Sequence, residues 1–166
     1  MRVIRNFPGQ VLLLLLSLVG AGIAIYLTTV HYENVPLICS ASGLVDCARV
    51  LSSSYSVIPG TTVPITIPGL GWCAVMAVLA LAALRLSSIR RRILVAQFAW
   101  SLVGMLTVLY LVYIELVRLH TICAWCTGLH IVIFLMLLIT IVQLQQAEPE
   151  TEMQAGRENP KIPTTR

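Results

Sequence analysis

Charge is what this chain has least of. Of its 166 residues only 11% are Asp, Glu, Lys or Arg, whereas 58% are hydrophobic, and the mean hydropathy is +0.90. A soluble domain carries about a quarter charged residues, so a water-soluble globule is excluded. No glycine-rich phosphate loop, flavin signature or haem-attachment pattern is present, which leaves nucleotide and haem chemistry without a foothold. There is no internal repeat. Asparagine is missing throughout the stretch between Asn34 and Asn159, and no histidine lies among the residues between Cys39 and Cys47.

The apolar residues fall into four long runs, and these predict membrane helices at about 10–31, 70–86, 93–117 and 122–144. Each is near the ~20 residues that cross a hydrocarbon core. The expected fold is an all-α membrane protein, a four-transmembrane-helix bundle in one domain over 1–144. Its short links between the second, third and fourth helices imply antiparallel neighbours. Residues 145–166, polar and without apolar periodicity, read as a disordered cytoplasmic tail. Arg2 and Arg5 before a leucine run resemble a signal peptide, but the run is too long for one, so an uncleaved helix is expected.

Nine of the eleven basic residues fall on one side if the N-terminus is cytoplasmic; only Arg49 and Arg118 fall on the other. This positive-inside bias places both termini in the cytoplasm. The net charge of +4 therefore reports topology and implies no nucleic-acid partner. The longest link, 33–69, is extracytoplasmic in this scheme. Leu44, Cys47, Val50 and Leu51 recur there at helical spacing, predicting a short amphipathic helix on the membrane surface. Pro59-Gly60 and Pro64 through Pro68-Gly69 read as breakers of regular structure. His31 reads as an interfacial residue, and Glu115 with Arg118, at i and i+3, as a helix-end ion pair.

Four of the five cysteines lie in extracytoplasmic positions: Cys39 and Cys47 in the long link, and Cys123 and Cys126 as a C-x-x-C opening the last helix. A helix start favours a thiolate. Cys73, inside an apolar run, reads as a small buried residue. The four admit three readings. Static disulfides suit the compartment, although a ring as small as C-x-x-C adds little by chain entropy. A zinc site has half its pattern in C-x-x-C, but the C-x7-C spacing supplies no familiar second half. A thiol–disulfide relay needs one mobile pair facing soluble partners and one pair within reach of a lipid-soluble acceptor. Extracytoplasmic thioredoxin-fold oxidants have potentials as high as about −120 mV, beyond what glutathione recharges, so a bilayer quinone is the fitting acceptor.

Cys39, the run Cys47-Ala48-Arg49-Val50-Leu51-Ser52-Ser53, and Cys123-Ala124-Trp125-Cys126 at the head of the last span together resemble the vitamin K epoxide reductase family. The resemblance is to its bacterial disulfide-forming members and covers about residues 10–144. It implies a quinone-dependent thiol–disulfide oxidoreductase without a metal, in a bacterial plasma membrane. In that family pattern Cys126 lies nearest the quinone, Cys123 exchanges with Cys47, and Cys39 meets the external thiol protein. Ser53 corresponds to a serine near the quinone pocket. The quinone would be of menaquinone, ubiquinone or vitamin K type.

Many bacterial members carry a fused thioredoxin-like domain, and none is recognisable after residue 144. The expected partner is thus a separate extracytoplasmic thioredoxin-fold (DsbA-like) protein. The chain also departs from members acting on vitamin K. Pro68 stands where they place a hydrogen-bonding asparagine, and His130 where they place a tyrosine. His130, one turn below Cys126 on the same helix face, becomes a candidate donor to a quinone oxygen. Two alternatives stay open: a vitamin K epoxide or quinone reductase with a different physiological role, and a non-enzymatic scaffold with static disulfides.

Overall fold

The computed structural model describes residues 7–33, 39, 43–86 and 88–158. Arg2, Arg5, Lys161 and Arg166, four of the nine basic residues assigned to the cytoplasmic side, lie outside the described residues. In chain order the elements are α1 (Phe7–Glu33), the short α2 (Cys47–Leu51), α3 (Thr66–Arg85), α4 (Arg90–Tyr113), a π turn (Ile114–Leu119) and α5 (Ala124–Glu158). Four segments are long and apolar enough to cross a membrane: Pro8–Glu33, Thr66–Arg85, Arg90–Leu119 and Ala124–Ala147. The chain is an all-α four-helix membrane protein. No strand forms among the described residues, only two isolated bridges.

Three boundaries differ from expectation. Pro68 and Gly69 do not break the backbone but lie in the first turn of α3. The first four N–H groups of a helix have no intrahelical acceptor, so a proline there removes no bond. The amphipathic helix predicted from Leu44 onward is only α2, Cys47–Leu51; Leu44 sits in the preceding turn, 68% exposed. Asp46 starts α2 by accepting the Arg49 N–H on its side chain at 3.0 Å. Finally, α5 runs on to Glu158 where a tail was expected from 145. Gln, Glu, Met and Ala are good helix formers, and extending an existing helix costs no new nucleus. Residues 159–166 lie outside the described residues.

Large apolar side chains cover the outside of the bundle, and several polar ones lie inside it. Leu18, Val78 and Leu106 point outward, 59–67% exposed, whereas Gln10, Ser17, Gln97, Ser101, Thr140 and Gln143 are buried. Lipid is as apolar as leucine, so helices associate through close packing and interhelical hydrogen bonds. Gln10 and Gln97 exchange amide hydrogen bonds at 3.1 and 2.9 Å, and Gln10 also donates to Gln143. That network joins α1, α4 and α5 at the end of the bundle remote from the long link. Leu13, Met76, Ala80, Val132 and Met136 fill the centre.

Small residues set the helix spacing. A Cβ at Gly104 would stand 2.5 Å from Cζ2 of Trp72, and one at Gly20 would stand 2.9 Å from Sγ of Cys73. Trp72 and Trp100 each donate an indole N–H to the other's backbone carbonyl, at 3.1 and 3.2 Å, locking α3 to α4. Near the opposite end, the Thr28 and Thr66 hydroxyls meet at 2.7 Å and tie α1 to the start of α3.

Candidate redox site

Antiparallel helices put the end of α1, the start of α3, the π turn and the start of α5 at one end of the bundle. The link between α1 and α3 folds over that end. Its outer part is a tight turn in which Val57 bridges Pro64, and Ile65 donates its N–H to the Ser56 carbonyl at 2.9 Å. Its inner part is pinned to the segment that precedes α5. Val45 and Ile122 form a parallel bridge, with Ile122 N–H to the Leu44 carbonyl at 2.8 Å and Asp46 N–H to the Ile122 carbonyl at 3.1 Å. The Thr121 hydroxyl adds a bond to the Leu44 carbonyl at 3.0 Å. The bridge stands one residue before Cys123 and two before Cys47, so both cysteine pairs hang from one short splice.

Cys39 is bonded to Cys47 and Cys123 to Cys126, with Cα separations of 6.2 and 5.2 Å. Their burial is asymmetric. Cys47 and Cys123 are 1% and 0% exposed, while Cys39 and Cys126 are only half-buried. Each pair thus has one sulfur facing inward and one within reach of something else. The backbone N–H of Cys126 donates to Sγ of Cys123 at 3.2 Å, a contact that favours negative charge on that sulfur when the disulfide opens. The ring of Trp125 stacks obliquely on Tyr26, centroids 4.9 Å apart, holding the C-x-x-C turn against α1.

Cys126 lines a cavity under the link. All four spans contribute to its walls, Leu27 from α1, Thr66 from α3, Ile114 from the end of the third span and Cys126 from α5, and Ser53 and Pro64 roof it. The polar groups on these mostly apolar walls are few: the hydroxyls of Ser53, Tyr55, Ser56 and Thr66, His31, and the carboxyl of Glu115. Apolar walls with a few placed polar groups suit a flat, oxygen-bearing ring. The Ser53 hydroxyl donates to the Val50 carbonyl at 2.7 Å, which leaves its oxygen free to accept.

His130 is not brought to this cavity. It is buried and lines a second, more apolar one with Phe134, Met105 and Thr127, on the other side of Glu115. Glu115 lines both cavities, whereas His130 and Cys126 line one each. His31, read from sequence as interfacial, does line the first cavity. Cys73 is buried and free, away from the other four cysteines. Among the described residues no cluster of His, Cys, Asp or Glu could hold a metal.

The expected Glu115–Arg118 pair does not form. Arg118 turns outward and donates twice to the Tyr55 hydroxyl, at 3.2 and 3.1 Å, fastening the link to the π turn. Glu115 turns inward, 6% exposed, lines both cavities and accepts the backbone N–H of Cys123. Sequence inspection missed it because i, i+3 spacing suggests a pair on a regular helix. The available signal was an acid eight residues before a C-x-x-C, inside a membrane span.

A four-span bundle that gathers two cystine pairs at one end, one of them on a cavity wall, belongs to the class of membrane thiol oxidoreductases. Residues 11–141 match the vitamin K epoxide reductase family, and the chain belongs to that family. Family membership carries membrane disulfide and quinone redox activity with it. No curated protein matches the chain.

Proposed function

We propose that the protein oxidises the thiols of an extracytoplasmic thioredoxin-fold partner and delivers the electrons to a membrane quinone, so generating disulfides. The observation that carries this reading is the asymmetric burial of the two pairs. Half-buried Cys39 is the sulfur a partner thiolate reaches, and half-buried Cys126 faces the cavity. Buried Cys47 and Cys123 stand two residues and one residue beyond the bridged pair and hand electrons across. A bound quinone supplies the two-electron sink.

The chain's own residues do the rest. The partner thiolate attacks Cys39, breaking the Cys39–Cys47 bond and freeing the Cys47 thiolate. Cys47 then attacks Cys123, and Cys126 leaves as the thiolate on the cavity wall. The partner's second thiolate breaks the mixed disulfide, leaving the partner oxidised and Cys39 a thiolate. Cys39 then attacks Cys47 and Cys123 departs, so the Cys123–Cys126 pair is left reduced and the outer pair oxidised again. Each step is one thiolate attack and one thiolate departure, so no other oxidant is consumed. The apolar walls keep water from the reacting sulfur, and the Ser53 oxygen, its proton held by the Val50 carbonyl, can accept from the O–H of the reduced ring. The cysteine end of the bundle faces the extracytoplasmic side of a bacterial plasma membrane in this reading. Pro68, inside the first turn of α3, leaves the asparagine of epoxide-reducing members without a counterpart.

Single-turnover quinone reduction by the purified, fully reduced protein tests the proposal. Rapid quinone loss that requires Cys126, with Cys39 required only when a thiol protein supplies the electrons, is the expected result. A folded, fully reduced sample that leaves the quinone untouched would refute it.

A further inference from the structure

Quinone reduction moves protons as well as electrons, and the thiol relay accounts only for the electrons. Oxidising Cys123 and Cys126 breaks two S–H bonds as one S–S bond forms, and the acceptor gains two electrons and two O–H bonds. A cavity walled by apolar side chains offers those protons few carriers. Glu115 is the one carboxyl on its walls, and also the one group of the π turn that faces both cavities.

We propose that Glu115 is the proton carrier of the quinone reaction. This rests on the quinone-reductase reading above. An ionisable side chain held inside a membrane span is costly and is retained where it has work to do, and Glu115 is not neutralised by its neighbour Arg118, which is engaged with Tyr55. Its backbone is fixed by the same turn: the carbonyl accepts the N–H groups of His120 and, at 3.0 Å, of Thr121. The carboxyl itself accepts the Cys123 N–H, at one member of the reacting pair, and shares the cavity wall with Cys126, the other.

The step balances. As the Cys123 sulfur closes onto Cys126, the Glu115 carboxylate takes the Cys123 proton and passes it to one ring oxygen, returning to its starting form. Cys126, which leaves the relay as a thiolate and takes up a proton released by the incoming dithiol, gives that proton to the other ring oxygen. Other titratable groups face the two cavities. They are His31 from α1, Tyr55 from the link, and Cys126 and His130 from α5. Of these only His130 looks onto Glu115 from the second cavity, where it can re-equilibrate the carboxyl between turnovers.

The test uses the full-length protein in lipid nanodiscs, reduced, freed of reductant and mixed with menadione across pH 6–9. Glu115→Gln keeps an acceptor for the Cys123 N–H but cannot carry a proton. The variant is expected to form both disulfides and to bind menadione like the wild type. Its single-turnover rate should fall at least tenfold and lose the pH dependence of the wild type. A rate within twofold of wild type with the same pH profile overturns the proposal, leaving Glu115 as a cap for the Cys123 backbone. Glu115→Asp, a titrating carboxyl one methylene shorter, covers the case in which the glutamine variant misfolds. It should be slower yet keep the pH dependence, and a flat profile overturns the proposal too. No menadione reduction by the wild type overturns the quinone reading, and this one with it.

Discussion

Polar side chains are buried at both ends of the bundle, and the two clusters are built from different chemistry. Remote from the link, Gln10, Gln97 and Gln143 are neutral amides that mostly satisfy one another. Under the link, Glu115, Ser53, Tyr55, His31 and Cys126 line a cavity, and several of them can change charge or oxidation state. Both clusters bear the cost of polar groups in an apolar setting. The amides recover it in helix–helix bonds, a structural return. The groups under the link are bonded to the link's own backbone, to Arg118 and to the Cys123 N–H, and they border a cavity instead of a helix–helix contact. The comparison separates what holds the helices together from what the helices hold.

The sharpest way to break that distinction is at the splice. Ile122→Pro removes the N–H that donates to the Leu44 carbonyl, and a proline cannot replace it. Turnover driven by a thiol partner should fall at least tenfold, because Cys47 is no longer held beside Cys123. Menadione reduction by the pre-reduced protein should stay within about twofold of wild type, since Cys126 and its cavity are intact. Equal losses in both assays would mean that the splice supports the whole fold rather than the transfer.

Much of this was legible from residue order alone. Run lengths near 20 residues announce membrane helices because the bilayer sets them, and the C-x-x-C at the head of the last run is as plain in sequence as in space. What was not legible came from contacts distant along the chain. Arg118 finds Tyr55, 63 residues away, in preference to Glu115 three residues away. That choice depends on a π turn, which spacing rules for a regular α-helix do not describe. His130 does lie a turn beyond Cys126 on α5, yet the Cys126 cavity opens toward the link rather than along α5. The splice between Val45 and Ile122 has no local signal at all.

Packing between the helices should be sensitive to a single methyl. Gly104→Ala places a Cβ 2.5 Å from Cζ2 and 2.7 Å from Cε2 of Trp72, too close for either to stay. Moving Trp72 also strains its reciprocal bonds with Trp100. A loss of about 1–3 kcal/mol is expected, the range for overpacking, read as a lowered unfolding midpoint in detergent. At the amide cluster the cost should be smaller. Gln97→Leu removes two bonds with Gln10, and interhelical bonds in membranes average about 0.6 kcal/mol each, so about 1 kcal/mol is expected. Menadione reduction should be unchanged within twofold. A large loss of activity here would show that the two ends are coupled and that the division drawn between them is wrong.

The least effect on chemistry is expected from the fifth cysteine. Cys73 is as buried as Cys47, so burial alone does not tell a working sulfur from a structural one. What distinguishes it is position. It faces Gly20, where a Cβ would meet its sulfur at 2.9 Å, and it contributes to neither cavity wall at the link end. Its sulfur has no partner thiol and fills space between α1 and α3. Cys73→Ala removes one atom from a close-packed contact, which costs stability on the order of 1 kcal/mol. Both partner-driven turnover and menadione reduction should stay within twofold of wild type. Loss of either in a folded Cys73→Ala protein would place a fifth sulfur in the electron path and require a route through the centre of the bundle.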